Sequence, residues 1–369
     1  MVIGVPKEVK DQEYRVAMIP AGVQMLTAKG HHVLIEQGAG GGAGIMDEEY
    51  AVVGAELVAT AAEIYARAEM ICKVKEPLPS EYGYLQSGHV LFTFLHLAAS
   101  IELTKALLQR QVVAIAYETV ETTDGRKPLL EPMSEIAGRM ALPIAAHYLS
   151  SPLGGRGVLL SGVPGVPPAT VTILGGGIVG YNAARMAAGM GASAYLLELD
   201  ASRMRSLDEL LPHNVTTLMS NHLNIEECLR HADVVVGAVL ISGAKAPRIV
   251  TREMLKLLKP GSVIVDVAVD QGGCVETTRP TTHSDPVYEV NGIIHYCVTN
   301  MPGAYGRTAT FALTNVTLPY VLEIAEKGWK GAGQENPEIA KGFNVVNGNV
   351  TYPAVAEAHG MESVAWDAT

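Results

Sequence analysis

The stretch VTILGGGIVGYNAA, residues 171–184, restricts the fold of this chain more than any other. A short apolar run meets three consecutive glycines, Gly175, Gly176 and Gly177, and continues into Ile178-Val179-Gly180. From there Val179, Ala183, Met186 and Met190 recur at helical spacing. A strand, a tight turn and a helix in that order open a βαβ unit, and such units build parallel sheets. Glu198 ends the next apolar run, AYLL, 23 residues after Gly175, close to the roughly 20 at which a second strand ends. Glycines let the backbone approach a pyrophosphate, the N–H groups of a helix start attract it, and an acid at the second strand's end binds ribose hydroxyls. The pattern predicts a dinucleotide site built from Gly175, Gly177, Ile178, Val179, Gly180 and Glu198.

A second glycine-rich turn competes for that role. VLIEQGAGGGAGI, residues 33–45, also runs from a strand into glycines, Gly38 to Gly44. Its sequel places Asp47, Glu48 and Glu49 at the start of the following helix, where they cap it well and would repel a phosphate. No acid follows at second-strand spacing. This turn is read as structural, its glycines permitting positive φ or close packing.

Around these turns the chain repeats one pattern twice. VIGVPKE, HHVLIE, EMICKVK, HVLFTFL and VVAIAYE alternate with helical segments up to about residue 120. VTIL, AYLL, TTLMS, DVVVGAVL, SVIVDVAV and IIHYCV do so again as a six-stranded sheet. Between them PMSEIAGRMALPIAAHYLSS, with Ile136, Met140, Ile144 and Tyr148 at helical spacing, predicts a long bridging helix. The fold class is α/β, with two doubly wound Rossmann-like domains and an interdomain cleft. Residues 1–127 form the first part of a substrate domain, 128–303 the nucleotide-binding domain with its bridging helix, and 304–369 pack back on the first. Within the last part, Asn347-Gly348 predicts a tight hairpin turn.

With 369 residues the chain suits two full cores, and 48% hydrophobic against 18% charged residues excludes a largely disordered chain. A net charge of −11 without a Lys/Arg run argues against nucleic acid as a partner. No secretory leader or membrane-length apolar run is visible, so a cytoplasmic protein without a membrane partner is expected. Cys72, Cys228, Cys274 and Cys297 are scattered without CxxC spacing, so they are read as reduced core thiols, with no metal site.

In doubly wound sheets ligands bind beyond the carboxyl ends of the strands. Arg15 follows the first strand, Lys75 ends EMICKVK, His96 ends HVLFTFLH and Asp270 ends SVIVDVAVD. Each alone has an ordinary reading as a surface charge or a hydrogen-bonded structural histidine. Together they suit a 2-keto or 2-amino acid: a guanidinium for the carboxylate, a cation for the carbonyl oxygen, an imidazole and a carboxylate for proton transfer. Leu130 and Met133 are candidate pocket walls.

GVPKEVKDQEYRVAMIP, CKVKEPLPSEY, TFLHLA, PLLEPMSEIAGRMA, GVPGVPPATVTILGGGIVG, VDVAVDQGGC and VTNMPGA, in this order, resemble the alanine dehydrogenase family over nearly the whole chain. The resemblance implies NAD as cofactor and reversible oxidative deamination of L-alanine to pyruvate and ammonium. It implies Arg15 and Lys75 on the substrate, with Asn300 and Met301 beside it, and His96 and Asp270 as the acid-base residues. For the cofactor it adds Ser134, Arg203, Ser220, Val239, Leu240, Val267, Asp270, Arg279, Val298 and Met301 to the glycine turn and Glu198. It also implies a homo-oligomer, a hexamer. Glu198 stands where many relatives have aspartate. Two other readings remain beside this one: a transhydrogenase-like NAD(H)-binding subunit without amino-acid turnover, and a non-catalytic NAD-responsive binding protein.

Overall fold

The computed structural model describes residues 1–239 and 246–368, which divide into two compact units, Met1–Met133 with Gly303–Thr369, and Ser134–Pro302.

The first unit is built on eight strands among the described residues. In spatial order they are Asn349–Val350, Phe343–Val346, Val113–Ala116, Val90–Thr93, Met70–Cys72, Val2–Val5, His32–Glu36 and Glu56–Val58. The six N-terminal strands are mutually parallel. Their order reverses between Val2–Val5 and Met70–Cys72, the topological switch point beyond which such sheets bind ligands. Phe343–Val346 joins the edge antiparallel to Val113–Ala116. The turn to its hairpin partner uses Asn347 and Gly348 at φ 49° and 83°, the positive values a two-residue turn of matching twist needs.

The second unit carries seven strands among the described residues, in the order Val287–Val290, Ile293–Tyr296, Val263–Asp266, Val234–Gly237, Thr170–Leu174, Ser193–Glu198 and Val215–Met219. Six are parallel and match the six expected. The seventh, Val287–Val290, is an antiparallel edge strand that its half-polar sequence VYEV did not announce. The order again reverses, between Thr170–Leu174 and Val234–Gly237. Both central strands are buried along nearly their whole length, as expected of parallel strands covered on both faces.

The Gly38–Gly44 turn is a packed corner of the first unit. Gly38 and Gly44 have φ 73° and 69°, and a Cβ on Gly42 would stand 2.7 Å from the Tyr14 carbonyl oxygen. Arg307, at the start of the helix Gly306–Glu335, donates to the carbonyls of Ala43 and Gly44 at 3.1 and 3.2 Å. The Asp47 carboxylate accepts from the Gly38 N–H at 2.9 Å, occupying the donor a phosphate would need. The four cysteines are free and buried. Burial pushes the thiols of Cys72 and Cys297 up to about 12 and that of Cys228 up to about 11, so they are inert near neutrality.

Candidate active site

Three of the four expected chemical residues emerge from adjacent strands of the first sheet. Arg15 lies on the loop after Val2–Val5, Lys75 three residues beyond Met70–Cys72, and His96 three residues beyond Val90–Thr93. Arg15 is 2% exposed, and its guanidinium grips Glu13, Nε to Oε1 at 2.6 Å and Nη2 to Oε2 at 2.5 Å. This two-point pairing fixes the guanidinium plane. Nη1 donates to the Met133 sulfur at 3.1 Å, a weak acceptor. Lys75 is also buried. The backbone N–H groups of Val74 and Lys75 point to Glu8 Oε1 at 2.6 and 3.4 Å, and the Lys75 carbonyl accepts from Thr93 Oγ1 at 3.0 Å.

Beneath this turn lies a charged cluster that the sequence reading overlooked. Lys73 Nζ stands 2.9 Å from Glu81 Oε1 and 3.2 Å from Glu8 Oε2, all three side chains being buried. Burial opposes the Lys73 charge, but Glu8 and Glu81 more than restore it and hold its pKa above the usual value. Glu8 is pushed up, chiefly by burial, with Lys73 opposing only in part and Glu13 and Glu81 adding to the rise.

His96 adopts φ 49°, ψ 40°, the left-handed region that few residues other than glycine enter. The Glu118 carboxylate holds it there. Its Oε1 accepts from the His96 N–H at 2.6 Å, both its oxygens accept from the Leu95 N–H at 3.2 Å, and it stands 4.0 Å from His96 Nδ1. The imidazole is 46% exposed, unlike the buried Arg15 and Lys75.

In the second unit the glycine turn has the form expected. Gly175 takes φ 98°, and a Cβ on Gly180 would fall 1.8 Å from the Gly175 carbonyl oxygen, so only glycine lets the helix Ile178–Gly189 start this close to its strand. The inner face of that helix is made by Val179, Ala183, Ala184 and Ala187, with Met186 and Met190 only half-buried. Gly177 caps the helix without a side-chain acceptor, and the space its Cβ would fill is open. A helix start beside an open cradle fits a pyrophosphate. Glu198 ends its strand beside the turn, accepting from the N–H groups of Gly176 at 2.8 Å, Leu199 at 2.6 Å and Asp200 at 3.0 Å. Arg203 donates through Nε to the Gly176 carbonyl at 2.9 Å.

Two residues of the SEIAGRMA motif, neither singled out from the sequence, seat this turn. A Cβ on Gly138 would lie 2.3 Å from the Val179 carbonyl, so the helix Glu131–Tyr148 touches the first turn of Ile178–Gly189 backbone to backbone. Arg139 Nε donates to Asn182 Oδ1 at 2.9 Å, and Asn182 donates to the Ile178 carbonyl.

Asp270 requires a correction. The strand ends at Asp266, and Val267–Gln271 form a 3-10 turn, so neither Val267 nor Asp270 is itself strand. Asp266 is responsible. Its buried carboxylate accepts from the N–H groups of Ala268, Cys274 and Val275 at 3.1, 3.0 and 3.3 Å and from Thr278 Oγ1 at 2.8 Å, which folds the chain back at once. Burial pushes the Asp266 carboxyl up, its hydrogen bonds opposing. Asp270 is carried on the outside of that turn, exposed.

The remaining expected cofactor positions are more scattered. The Ser220 N–H donates to the Glu198 carbonyl at 2.8 Å, which puts it at the next strand end. Val239 follows Val234–Gly237, and Leu240 lies outside the described residues. Ser134 is half-buried near the start of Glu131–Tyr148. Arg279 lies over the Tyr288 ring at 4.2 Å. Val298 bridges to Thr281, and Met301 is buried. Asn300 takes φ 67°, its carbonyl 3.1 Å from His283 Nε2.

Comparison with known proteins places the chain. The family description Alanine dehydrogenase/PNT, N-terminal domain, matches residues 4–137, and Alanine dehydrogenase/PNT, C-terminal domain, matches 141–353. Alanine dehydrogenase of Methanococcus maripaludis is 58% identical over 98% of this chain and 97% of its own length. The chain belongs to the alanine dehydrogenase family. A solved L-alanine dehydrogenase structure resembles it with a TM-score of 0.94 at 50% identity, covering 98% of this chain and 99% of the other. A transhydrogenase structure from Sinorhizobium meliloti is more distant, with a TM-score of 0.81 at 26% identity over 96% and 100% of the two chains. As a member of the alanine dehydrogenase family the protein is an oxidoreductase with a nucleotide-binding Rossmann fold, and the resemblance drawn from its motifs holds over both halves of the chain.

Proposed function

We propose that the chain catalyses the NAD-dependent, reversible oxidative deamination of L-alanine to pyruvate and ammonium. The observation that carries this reading is the arrangement of Arg15, Lys75 and His96 on neighbouring strand ends at the switch point of the first sheet. Two cations and an imidazole at such a place suit a small 2-amino or 2-keto acid better than a nucleotide partner. That favours amino-acid turnover over a transhydrogenase-like subunit, and the higher identity to named alanine dehydrogenases agrees.

Arg15, its plane already set by Glu13, binds the substrate carboxylate, exchanging the weak Met133 sulfur contact for a stronger acceptor. Asn300, Met301, Leu130 and Met133 are assigned to the substrate's surroundings. When bound, NAD⁺ supplies the acceptor for the hydride that leaves the alanine Cα. The resulting imine takes up water. His96 and Asp270 are assigned the proton transfers to and from that water and the leaving amine, and Lys75 the stabilisation of the charge growing on oxygen.

For the cofactor, the Gly175–Gly180 turn holds the pyrophosphate and Glu198 the ribose hydroxyls. An acid at that position repels a 2′-phosphate, and Arg203, engaged with the Gly176 carbonyl, supports NAD over NADP. Ser134, Ser220, Val239, Leu240, Val267, Arg279 and Val298 are assigned to the rest of the dinucleotide. A homohexamer in the cytoplasm belongs to the same proposal. Leu159, Val163 and Val166, large apolar side chains exposed on the connector between the helix Glu131–Tyr148 and Thr170–Leu174, are surface that another copy would cover.

The test is NADH formation, followed by its near-ultraviolet absorbance, with L-alanine and NAD⁺. His96→Ala and Asp270→Ala should each lower turnover by about 10²–10⁴. No alanine-dependent NADH from the unmodified protein would sink the reading, and near-normal turnover in either variant would remove that residue from it.

A further inference from the structure

His96 is held in a left-handed backbone conformation uncommon outside glycine, so whatever fixes the neighbouring main chain also fixes the imidazole. Glu118 holds the N-terminal side of the turn through the N–H groups of Leu95 and His96. The C-terminal side is held locally by the Ala99 and Ser100 N–H groups, which donate to the His96 and Leu97 carbonyls at 3.0 Å, and also from a distant part of the chain. His359 Nε2 lies 2.7 Å from the Leu97 carbonyl oxygen. A carbonyl only accepts, so Nε2 carries the proton of this bond. A longer bond reaches the same carbonyl from Thr104 Oγ1, at 3.3 Å.

The helix that brings His359 is set firmly. It runs from Pro353 to His359, and Gly360 closes it at φ 63°. Its inner residues Val355 and Ala356 share one buried cluster with Leu97, Leu95 and Leu103. Apolar contact already seats the helix on the turn. The imidazole adds a directed bond to the carbonyl one peptide beyond His96. We propose that His359 is a positioning residue for His96, pinning through the Leu97 carbonyl the left-handed turn that presents the imidazole. The proposal rests on His96 acting in proton transfer.

The experiment compares His359→Gln, whose amide N–H can still donate to the carbonyl, with His359→Leu, which fills similar space without a donor. Both are made in the full-length protein, alone and combined with His96→Ala. His359→Leu should lower kcat about tenfold, leave KM for L-alanine and NADH binding by fluorescence within about twofold, and be rescued to near wild type as His359→Gln. In the His96→Ala background His359→Leu should lower the residual turnover no further, since the residue it positions is gone. Unchanged kcat in His359→Leu, equal losses in the Leu and Gln variants, or additive losses with His96→Ala would each overturn the proposal. If His96→Ala alone retained normal turnover, the parent reading would fail first, and that result is visible without any change at His359.

Discussion

Lys73, which has no exposed surface, pairs with the carboxylate that accepts from the Val74 and Lys75 N–H groups. It stands between Glu8 and Glu81, one cation against two carboxylates, so the cluster holds an excess negative charge away from water. Burial raises Glu8 for that reason. A carboxyl whose folded pKa lies above its unfolded value contributes stability that is full below the unfolded pKa and is lost as pH rises through the folded one. Wild type should therefore lose stability relative to Glu8→Gln as pH climbs from the ordinary carboxylate range, about 4.3, toward neutrality. Urea unfolding across that interval checks it, and identical pH slopes in the two proteins would contradict it. Of such residues the sequence reading saw none. Glu8, Glu118 and Asp266 lie in VIGVPKE, VVAIAYE and SVIVDVAV, strand runs already marked in the sequence, and they hold backbone N–H groups of the turns that carry Lys75, His96 and Asp270. Their chemistry did not set them apart, because an acid whose partner is 66 positions away, as Val74 is from Glu8, looks like any solvated carboxylate.

At the scale of elements, the glycine turn was legible because its requirements are local: strand, glycines, helix start and acid all fall within residues 170–198. What seats the turn was not. The helix Glu131–Tyr148 meets Ile178–Gly189 at Gly138, 41 positions before Val179, and periodicity alone reports only that Glu131–Tyr148 is a helix. Gly138→Ala places a methyl 2.3 Å from the Val179 carbonyl oxygen, and backbone cannot yield as a flexible side chain would. The two helices must separate, at a cost of about 1–3 kcal/mol for an overpacked contact, although alanine is otherwise the better helix former. Because the helix start that moves is the one assigned to the pyrophosphate, NADH affinity should weaken along with thermal stability. Gly189→Ala is the control, at an exposed position near the end of Ile178–Gly189 with nothing within 4 Å of the added Cβ. Equal NADH affinity in the Gly138→Ala and control proteins would show that the helix contact does not govern the turn.

The chain as a whole places its two units differently along the sequence. Ser134–Pro302 is continuous, whereas the first unit needs residues from both ends. Its sheet extends from Val113–Ala116 into Phe343–Val346. The Val16 N–H donates to Thr310 Oγ1 at 3.1 Å, and Lys29 pairs with Glu326. Sequence alone indicated a C-terminal segment too short for its own core; the antiparallel addition to a parallel sheet was beyond it, because a short strand such as FNVV carries no mark of which edge it will join. Removing residues 303–369 would strip the first unit of Leu313, Val321, Ile324, Ile339, Phe343, Val345 and Val346, all essentially without exposed surface. At about 1.5–3 kcal/mol for each large buried side chain, that loss matches or exceeds the roughly 5–15 kcal/mol that stabilises a whole domain. A chain ending at residue 302 should therefore keep the fold of Ser134–Pro302 while residues 1–133 unfold. Circular dichroism should show part of the native signal, NADH should still quench or enhance fluorescence on titration, and alanine-dependent turnover should vanish. Amide hydrogen exchange decides the point residue by residue: protection retained across Val171–Leu174 and Val234–Val236 but lost across Val90–Thr93 and Val113–Ala116 is the expected pattern, and protection surviving in both sheets would mean that the first unit does not depend on its C-terminal third.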